Sequence, residues 1–418
     1  MTTMTAVKTN PLRAWNYFTL NAYWFALSFL WNSMGPILLP TMVPLLVPES
    51  QKGTALGTLS AIGLIIATIV QPAAGAWSDA HTTRWGKRRP YIVGGISFAS
   101  LFLVVMLFAQ DYVTLLLAYV LLQFSSNVAH GPYQSYIPEL VPEHKRGKVT
   151  GVKQLFEMVG LIITSLVVGN WVGAGQMGLA FAAIIFFLLF TMVLTAVFVT
   201  EQPYEGAVPM PKPATRHASF WQTIFFSRDF FLWLVSRLLI LLGANLVRNY
   251  VLLFLKDVLK LPNPAAEAGS LLAIIGVAVA VVAYPAGALS DRFGRKGMVI
   301  ASGVLGAIGA VMLLPATTMT TVLIAGGVIG LSIGIFLSAN WAWATDLIPG
   351  EESGRFLGIS NIATAGSGVL AGVGGVILDF FNNQVPGSGY TVLYALAAGC
   401  FLLGAGIAFA VQDTRSKQ

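Results

Sequence analysis

Gly75-Ala76-Trp77-Ser78-Asp79, followed by the basic run Gly86-Lys87-Arg88-Arg89, returns later in the chain as Gly287-Ala288-Leu289-Ser290-Asp291 with Gly294-Arg295-Lys296. Each copy joins the end of one long apolar segment to the start of the next. A second pair of stretches also matches: Leu140-Val141-Pro142 with Gly147 and Gly151, and Leu347-Ile348-Pro349 with Gly354 and Gly358. The second pair repeats at an offset of 207 residues and the Asp-containing pair at 212, the first copy having four extra residues in its loop. Two independent matches at nearly one offset imply two related halves built from membrane helices.

Composition supports this. Of the 418 residues, 56% are hydrophobic and 10% charged, whereas soluble domains carry about a quarter charged residues. A span needs about 20 apolar residues. The sequence predicts twelve spans, at 18–46, 53–77, 90–109, 112–138, 149–172, 178–199, 229–256, 266–289, 297–315, 320–345, 354–378 and 390–411. The net charge of +7 does not point to nucleic acid, because its placement follows the membrane. Lys and Arg crowd into alternate loops, at Arg84 to Arg89, Lys145 to Lys148 and Arg292 to Lys296, while the intervening loops hold Lys52, Lys256 and Lys260. By the positive-inside rule, both termini and the repeated motifs are expected in the cytoplasm of a multi-pass plasma (inner) membrane protein. The first apolar segment is too long for a secretory signal and has no small-residue cleavage site, so it is expected to stay as a span.

Residues 200–228 form the one long polar connection, with Pro203, Pro209, Pro211 and Pro213. This reads as a cytoplasmic linker between a first bundle, 1–199, and a second, 229–418. Phe220-Trp221 with Ile224-Phe225-Phe226 has the makings of a short helix on the membrane surface; a plain tether fits equally. Both repeats sit in loops on one side, so the halves are parallel repeats, one known transporter plan. The fold class is therefore all-α, two six-helix bundles in a membrane.

The Gly-x-x-x-Asp motif with a basic cluster, between helices 2 and 3 and again between 8 and 9, resembles the signature of the major facilitator superfamily, and the resemblance covers the whole chain. The first copy, through Arg84-Trp85-Gly86-Lys87-Arg88-Arg89-Pro90, is similar to the longer loop of glycoside–cation symporters and of the related sucrose-transporter group. Gly131-Pro132 through Glu139 resembles the end of helix 4 in the latter. Two features depart from these groups. Residues 53–74 hold no Asp or Glu to bind sodium, and Gln134 stands where the sucrose-transporter motif has a basic residue. The resemblance implies that Gly75, Asp79, Arg84, Gly86, Arg88 and Arg89, with Gly287, Asp291, Gly294 and Arg295, link the halves on the cytoplasmic side and bias the outward-facing state. It also implies that helices 1, 4, 7 and 10 line a central cavity. From the residues alone, Asp79 and Asp291 can each pair with Arg or accept from a neighbouring helix N-terminus, and the basic residues satisfy topology in any case.

Several polar residues fall inside spans. Gln123, Asn127, His130 and Gln134 share one face of helix 4. Trp24, Ser28, Trp31 and Asn32 form a stripe on helix 1, and Asn340, Trp341 and Trp343 stand on helix 10. Amides and indoles suit a sugar's hydroxyls and flat apolar face, although small polar groups also join membrane helices and Trp marks the interface. Charges within spans are costly and usually functional. Glu157 is the acidic residue clearly inside a span, with Lys153 one turn before it. The pair offers either a proton-coupling group or a fixed structural ion pair. Arg237 and Arg248 lie 11 residues apart, within about 20° on one face of helix 7. Arg248, beside Asn249, reaches the cavity and can hold a substrate oxygen or carboxylate, whereas Arg237 is expected to snorkel toward the cytoplasm. His130 can titrate near neutrality or serve as a hydrogen-bonding group.

The lone Cys400 excludes disulfides and cysteine metal sites. The remaining histidines form no metal-ligand cluster, and no phosphate-binding loop or nucleophile–base pair is evident, so no cofactor, metal or enzymatic activity is expected. The expectation is a secondary active transporter of a sugar or glycoside, coupled to protons and surrounded by lipid. The alternatives are a carrier, exchanger or exporter of organic anions anchored on Arg248, and an assembly factor that keeps the fold without transporting.

Overall fold

The computed structural model describes residues 14–81, 83–201, 227–347 and 353–412. Twelve helices in it are long and apolar enough to cross a membrane. Helices 1 to 6 are Tyr17–Leu46, Glu49–Ala80, Arg89–Leu107, Tyr112–Leu140, His144–Gly173 and Met177–Phe198. Helices 7 to 12 are Arg228–Asp257, Pro264–Ser290, Arg295–Met312, Met319–Ala344, Ile359–Asn382 and Ser388–Ala410. With no water in a bilayer core, the backbone must satisfy itself, which helices do span by span. The expected linker segment 202–226, including its surface helix, lies outside the described residues, as do Ile348 and Pro349 of the second repeat. Helices 2 and 11 run further than expected, because polar residues at their ends, from Glu49 and to Asn382, extend the helix instead of stopping it.

The repeat is visible in the packing. Helix 1 packs on 5 and 6, helix 2 on 4, and helix 3 on 4 and 6; helix 7 packs on 11 and 12, helix 8 on 10, and helix 9 on 10 and 12. Every pair in the first set recurs in the second six helices later. The halves meet through helix 2 against 11 and helix 5 against 8, which are also images of one another. The ends of the chain's last and seventh helices lie together, since Asp229 accepts a hydrogen bond from the Gln412 N–H at 3.0 Å. The end of the molecule that carries the 80–89 turn, with the starts of helices 1 and 7 and the end of helix 12, is called here the basic-loop end.

At the opposite, far end the halves touch backbone to backbone. A Cβ on Gly57 would lie 1.9 Å from the Gly372 carbonyl oxygen, and one on Gly375 1.9 Å from that of Gly53. Helices 5 and 8 close similarly, with a Cβ on Gly269 only 2.1 Å from the Ser165 carbonyl. Toward the basic-loop end the described surfaces are freer: Trp77 of helix 2 is 64% exposed and Tyr284 of helix 8 is 87% exposed, and a Cβ on Gly147 or Gly151 of helix 5 would meet nothing within 4 Å. Among the described residues, the closest backbone approaches between the halves lie at the far end.

Helix 1 does not run straight. Its Ala22–Ser33 stretch passes into a wider turn at Met34–Leu38 before Leu39–Leu46 resumes α geometry. Pro36 supplies no N–H to the Asn32 carbonyl and its ring crowds that group, so the turn widens there. The irregular turn lies in mid-span, where it presents Asn32 to the interior.

Candidate functional site

Two assemblies emerge, one at the repeated motif and one between the halves. At the motif, Ala80 ends helix 2 and the chain reverses through Gly86, whose φ of +112° only glycine adopts easily. The same position has no room for a side chain, because a Cβ would lie 2.3 Å from a Glu201 carboxylate oxygen. That carboxylate caps the start of helix 3, accepting from the N–H groups of Lys87, Arg88 at 3.0 Å and Arg89 at 2.8 Å, and from the Tyr136 hydroxyl at 2.7 Å. The turn so held delivers Arg88 to the interior, where it is 1% exposed.

Arg88 is the hub. It donates to Asp79 at 2.5 Å, to Glu139 of helix 4, to the Ser78 hydroxyl and to the Gly75 carbonyl at 3.2 Å. Lys87 also reaches Asp79, at 2.9 Å. Burial works against the Arg88 charge, but the Glu139 hydrogen bond and charge, with Asp79 behind them, hold the guanidinium above its ordinary range. Arg89 donates to the Val199 carbonyl. Arg84 is exposed. In the second copy Arg295 pairs with Asp346 and donates to the Ala342 carbonyl at 2.6 Å, and Lys296 donates to the Val411 carbonyl at 2.7 Å. Gly287 accepts from Ser290 at 2.8 Å, and Gly294 takes a φ of +95°. The Asp291 side chain lies outside what is described. In this state Asp79 is in an ion-pair cluster of its own half. Sequence reasoning missed Glu139, Asp346 and Glu201. The offset of 207 was the available signal for the first two, since it carries Arg88 onto Arg295 and Glu139 onto Asp346.

Between the halves, Arg248 of helix 7 donates to the Asn32 side-chain oxygen of helix 1 at 2.7 Å. Asn32 in turn donates to the Ser28 carbonyl at 2.8 Å, and the Ser28 hydroxyl donates to the Glu157 backbone carbonyl at 2.6 Å. Lys153 lies 3.5 Å from the Glu157 carboxylate and 3.9 Å from the centre of the Trp24 ring, a cation–π contact. Trp24 meets His130 edge to face at 5.1 Å. The two His130 ring nitrogens lie 3.3 Å from the Gln71 amide and 2.9 Å from the Gln134 amide. A neutral imidazole donates from one nitrogen and accepts at the other, so one of those amides presents its oxygen. Gln71, on helix 2, was not singled out in the sequence; its contact with helix 4 is visible only in three dimensions.

Other expected residues sit differently. Arg237 does not snorkel: it is 5% exposed and donates to Asn340 at 2.5 Å and to Thr364 at 3.1 Å. Trp233 and Trp341 flank it, each ring centre 5.8 Å away. A guanidinium this far inside finds polar partners on helices 10 and 11 and gains nothing by reaching for the surface. Gln123 and Asn127 are buried, bonded to Tyr119 at 2.7 Å and to Gln123 at 2.8 Å. Gln123, with Tyr119, fills the helix 2–helix 4 joint at Gly63, where a Cβ would lie 2.5 Å from the Gln123 amide. Trp343 is buried as well, while Trp341 is 43% exposed and Asn249 half-buried. Thus Trp24, Asn32, His130, Gln134, Lys153, Glu157 and Arg248 are joined, with Ser28, in one continuous run of contacts, whereas Gln123, Asn127 and Trp343 are buried in packing. Among the described residues, no group of His, Cys, Asp and Glu is arranged to hold a metal ion.

The Major Facilitator Superfamily model matches residues 13–372 and 261–418. The sucrose transport protein SUT1 of Oryza sativa subsp. japonica is 26% identical over 193 residues, 37% of this chain and 36% of that protein. The class C tetracycline resistance protein of Escherichia coli is 32% identical over 164 residues, 38% of this chain and 41% of that one. The chain thus matches little more than a third of the length of these relatives. Among solved structures, a D-xylose-proton symporter superposes with a TM-score of 0.75 at 18% identity, covering 96% of this chain and 99% of that one. A family match across nearly the whole length, the doubled six-helix packing and twelve spans lead to one conclusion: the chain belongs to the Major Facilitator Superfamily, a transporter family and not an enzyme family.

Proposed function

We propose that the protein is a secondary active transporter that carries a sugar or glycoside by alternating access and couples it to protons. The observation that carries this reading is the Arg248–Asn32 hydrogen bond, which spans the two halves beside the Trp24–His130 and Lys153–Glu157 contacts. A polyhydroxylated ligand entering there finds an indole face, amides and a guanidinium, and competes for groups that now bind one another. The names of two relatives, a sucrose transport protein and a D-xylose-proton symporter, support the substrate class and the ion. Trp24, Asn32, His130, Gln134, Arg248, Asn249, Asn340 and Trp341 are the proposed binding set, and Glu157 with Lys153 the proposed coupling pair. The bundles 1–199 and 229–418 would rock about this site, joined by 200–228 on the cytoplasmic side, with both termini cytoplasmic in the plasma (inner) membrane, as the basic loops favour.

One observation favours a second reading. Arg248 and Arg237 are bonded to neutral Asn and Thr groups, so the interior carries positive charge that an anionic ligand would offset. This is the organic-anion reading, and the tetracycline resistance protein keeps export within it. Purified protein screened by thermal shift against sugars and organic acids separates the two, because a ligand that binds the folded state raises the melting temperature. Stabilisation by neutral sugars supports the first reading, and stabilisation by carboxylates alone refutes it.

A further inference from the structure

The far-end seal contains charges that the glycine contacts do not require. Lys52, at the start of helix 2, is 5% exposed. Its ammonium lies 2.7 Å from Asp257, at the end of helix 7 in the other half, and also pairs with Glu49. Asp257 accepts a second hydrogen bond from the Tyr390 hydroxyl of helix 12. Beside this cluster, Asp379 of helix 11, also 5% exposed, turns its carboxylate onto the first turn of helix 2. One oxygen accepts from the Gly53 N–H at 2.9 Å and the other from the Thr54 N–H at 2.6 Å. Asn383 adds a hydrogen bond to the Ser50 carbonyl at 3.2 Å. The Lys52–Asp257, Asp379–Gly53, Asp379–Thr54 and Asn383–Ser50 contacts join the first half to the second, while Glu49 and Tyr390 support Lys52 and Asp257 from within their own halves.

We propose that Lys52, Asp257 and Asp379 form the far-end lock of the transport cycle, an electrostatic latch whose release sets how readily the molecule opens on that side. A buried carboxylate at a helix N-terminus is favoured by the unpaired N–H groups and by the helix dipole. Here the carboxylate and the helix belong to different halves, so that stabilisation exists only while the halves are together. Lys52 and Asp257 behave in the same way: separated, Lys52 keeps only Glu49 and Asp257 only the Tyr390 hydroxyl, and the charge–charge contact between the halves is lost. The latch is complementary to the motif at the other end of helix 2. There Asp79 is bonded within its own half, while the helix 2–helix 11 pair holds its cross-half acid, Asp379, at the sealed end. Among the described residues, helix 2 thus ends in a cross-half contact at the far end and a within-half contact at the basic-loop end.

The proposal rests on alternating access but not on any substrate, so it is tested without one. In a Cys400→Ser background, a reporter is placed either at Trp77→Cys, exposed at the basic-loop end, or at Ala61→Cys, which faces Gly372 within the seal. Labelling rates with a polar maleimide are measured on reconstituted full-length protein. Asp379→Asn retains the shape but can accept only one of the two N–H groups, and Lys52→Met removes the ammonium. Each is expected to raise Ala61→Cys labelling and lower Trp77→Cys labelling, with a shift in the ratio of about tenfold for the loss of a charge-assisted pair. Lys52→Met with Asp257→Asn should shift the ratio no more than Lys52→Met alone, because the pair is lost once. Unchanged ratios in Asp379→Asn and Lys52→Met overturn the proposal, and so do additive effects at Lys52 and Asp257. If Asp379→Asn does not fold, the Lys52 and Asp257 variants decide alone. If no ligand is ever found but the ratios shift, the latch stands and the substrate reading falls.

Discussion

Replacing Glu157 by Gln separates coupling from structure. The carboxylate lies 3.5 Å from Lys153, both side chains being about one quarter exposed. At an effective dielectric of about 20, two unit charges at that distance attract by roughly 5 kcal/mol, and in water by about 1 kcal/mol. Most of this is offset by desolvation and by ordering two flexible chains, and i, i+4 helix pairs net about 0.5 kcal/mol. Lys153 also keeps the Trp24 face at 3.9 Å, and Ser28 binds the Glu157 backbone carbonyl, which Gln retains. Glu157→Gln should therefore cost about 1 kcal/mol of stability or less. Its effect on coupling should be of another order. A gradient of one pH unit corresponds to about 1.4 kcal/mol per proton, enough for roughly tenfold accumulation by a one-proton symporter. Gln exchanges no proton, so accumulation should vanish while downhill exchange of substrate survives. The assay is uptake into reconstituted vesicles with an imposed pH gradient, beside counterflow without one. Glu157→Gln vesicles that still concentrate substrate refute the coupling role and turn attention to His130. Should Glu157→Gln instead destabilise the protein strongly and Lys153→Met restore it, the pair is structural.

Asp79→Asn should slow transport strongly with substrate affinity largely unchanged. Its side chain is 54% exposed and Arg88 keeps Glu139, so stability should fall by less than about 1 kcal/mol; normal uptake rates in vesicles contradict this. Arg248→Gln should weaken ligand binding by about tenfold for a neutral sugar and by 100-fold or more for a carboxylate, read by thermal shift against ligand concentration. A cysteine at Arg84, exposed in the turn after helix 2, should react with an impermeant reagent from the cytoplasmic face only, and labelling from outside in intact cells inverts the topology. Gly57→Ala places a Cβ 1.9 Å from the Gly372 carbonyl, an overpacking of about 1–3 kcal/mol. It should favour the state open at the far end, seen as faster labelling of Ala61→Cys.

The twelve spans and the doubled halves were legible because hydrophobic length and a repeated loop motif are local properties of the chain. The helix 2 motif was legible for the same reason, but that Arg88 and not Asp79 is the hub of its contacts was not. Nor were its partners. Glu139 and Glu201 are 51 and 113 residues from Arg88, and only the fold brings them to one point. The polar stripe on helix 4 shows the limit of periodicity. One face is shared by Gln123, Asn127, His130 and Gln134, but Gln123 and Asn127 are buried, Gln123 against Gly63 of helix 2, while His130 is held between Gln71 of helix 2 and Gln134, which is exposed. Periodicity assigns a face and does not say what lies against each turn of it. Arg237 was misplaced because snorkelling was weighed against an empty surrounding, when Asn340 and Thr364 were waiting on other helices. Asp379 was missed because the span was ended one residue too early.

The far-end seal has a thermal consequence. Along helices 2 and 11 it is made by Gly53, Gly57, Gly372 and Gly375, with backbone against backbone. Most protein contacts freeze side-chain rotamers when they form, at up to about 2 kcal/mol for a long flexible chain. Glycine has none to freeze. Closing and opening this stretch therefore exchanges almost no rotamer entropy. Its balance should change little on warming, whereas the ion-paired ends beside it carry two opposed temperature-dependent terms, the side-chain entropy of a lysine and two aspartates and the falling cost of desolvating their charges. The temperature dependence of the seal therefore resides in the latch and not in the zipper.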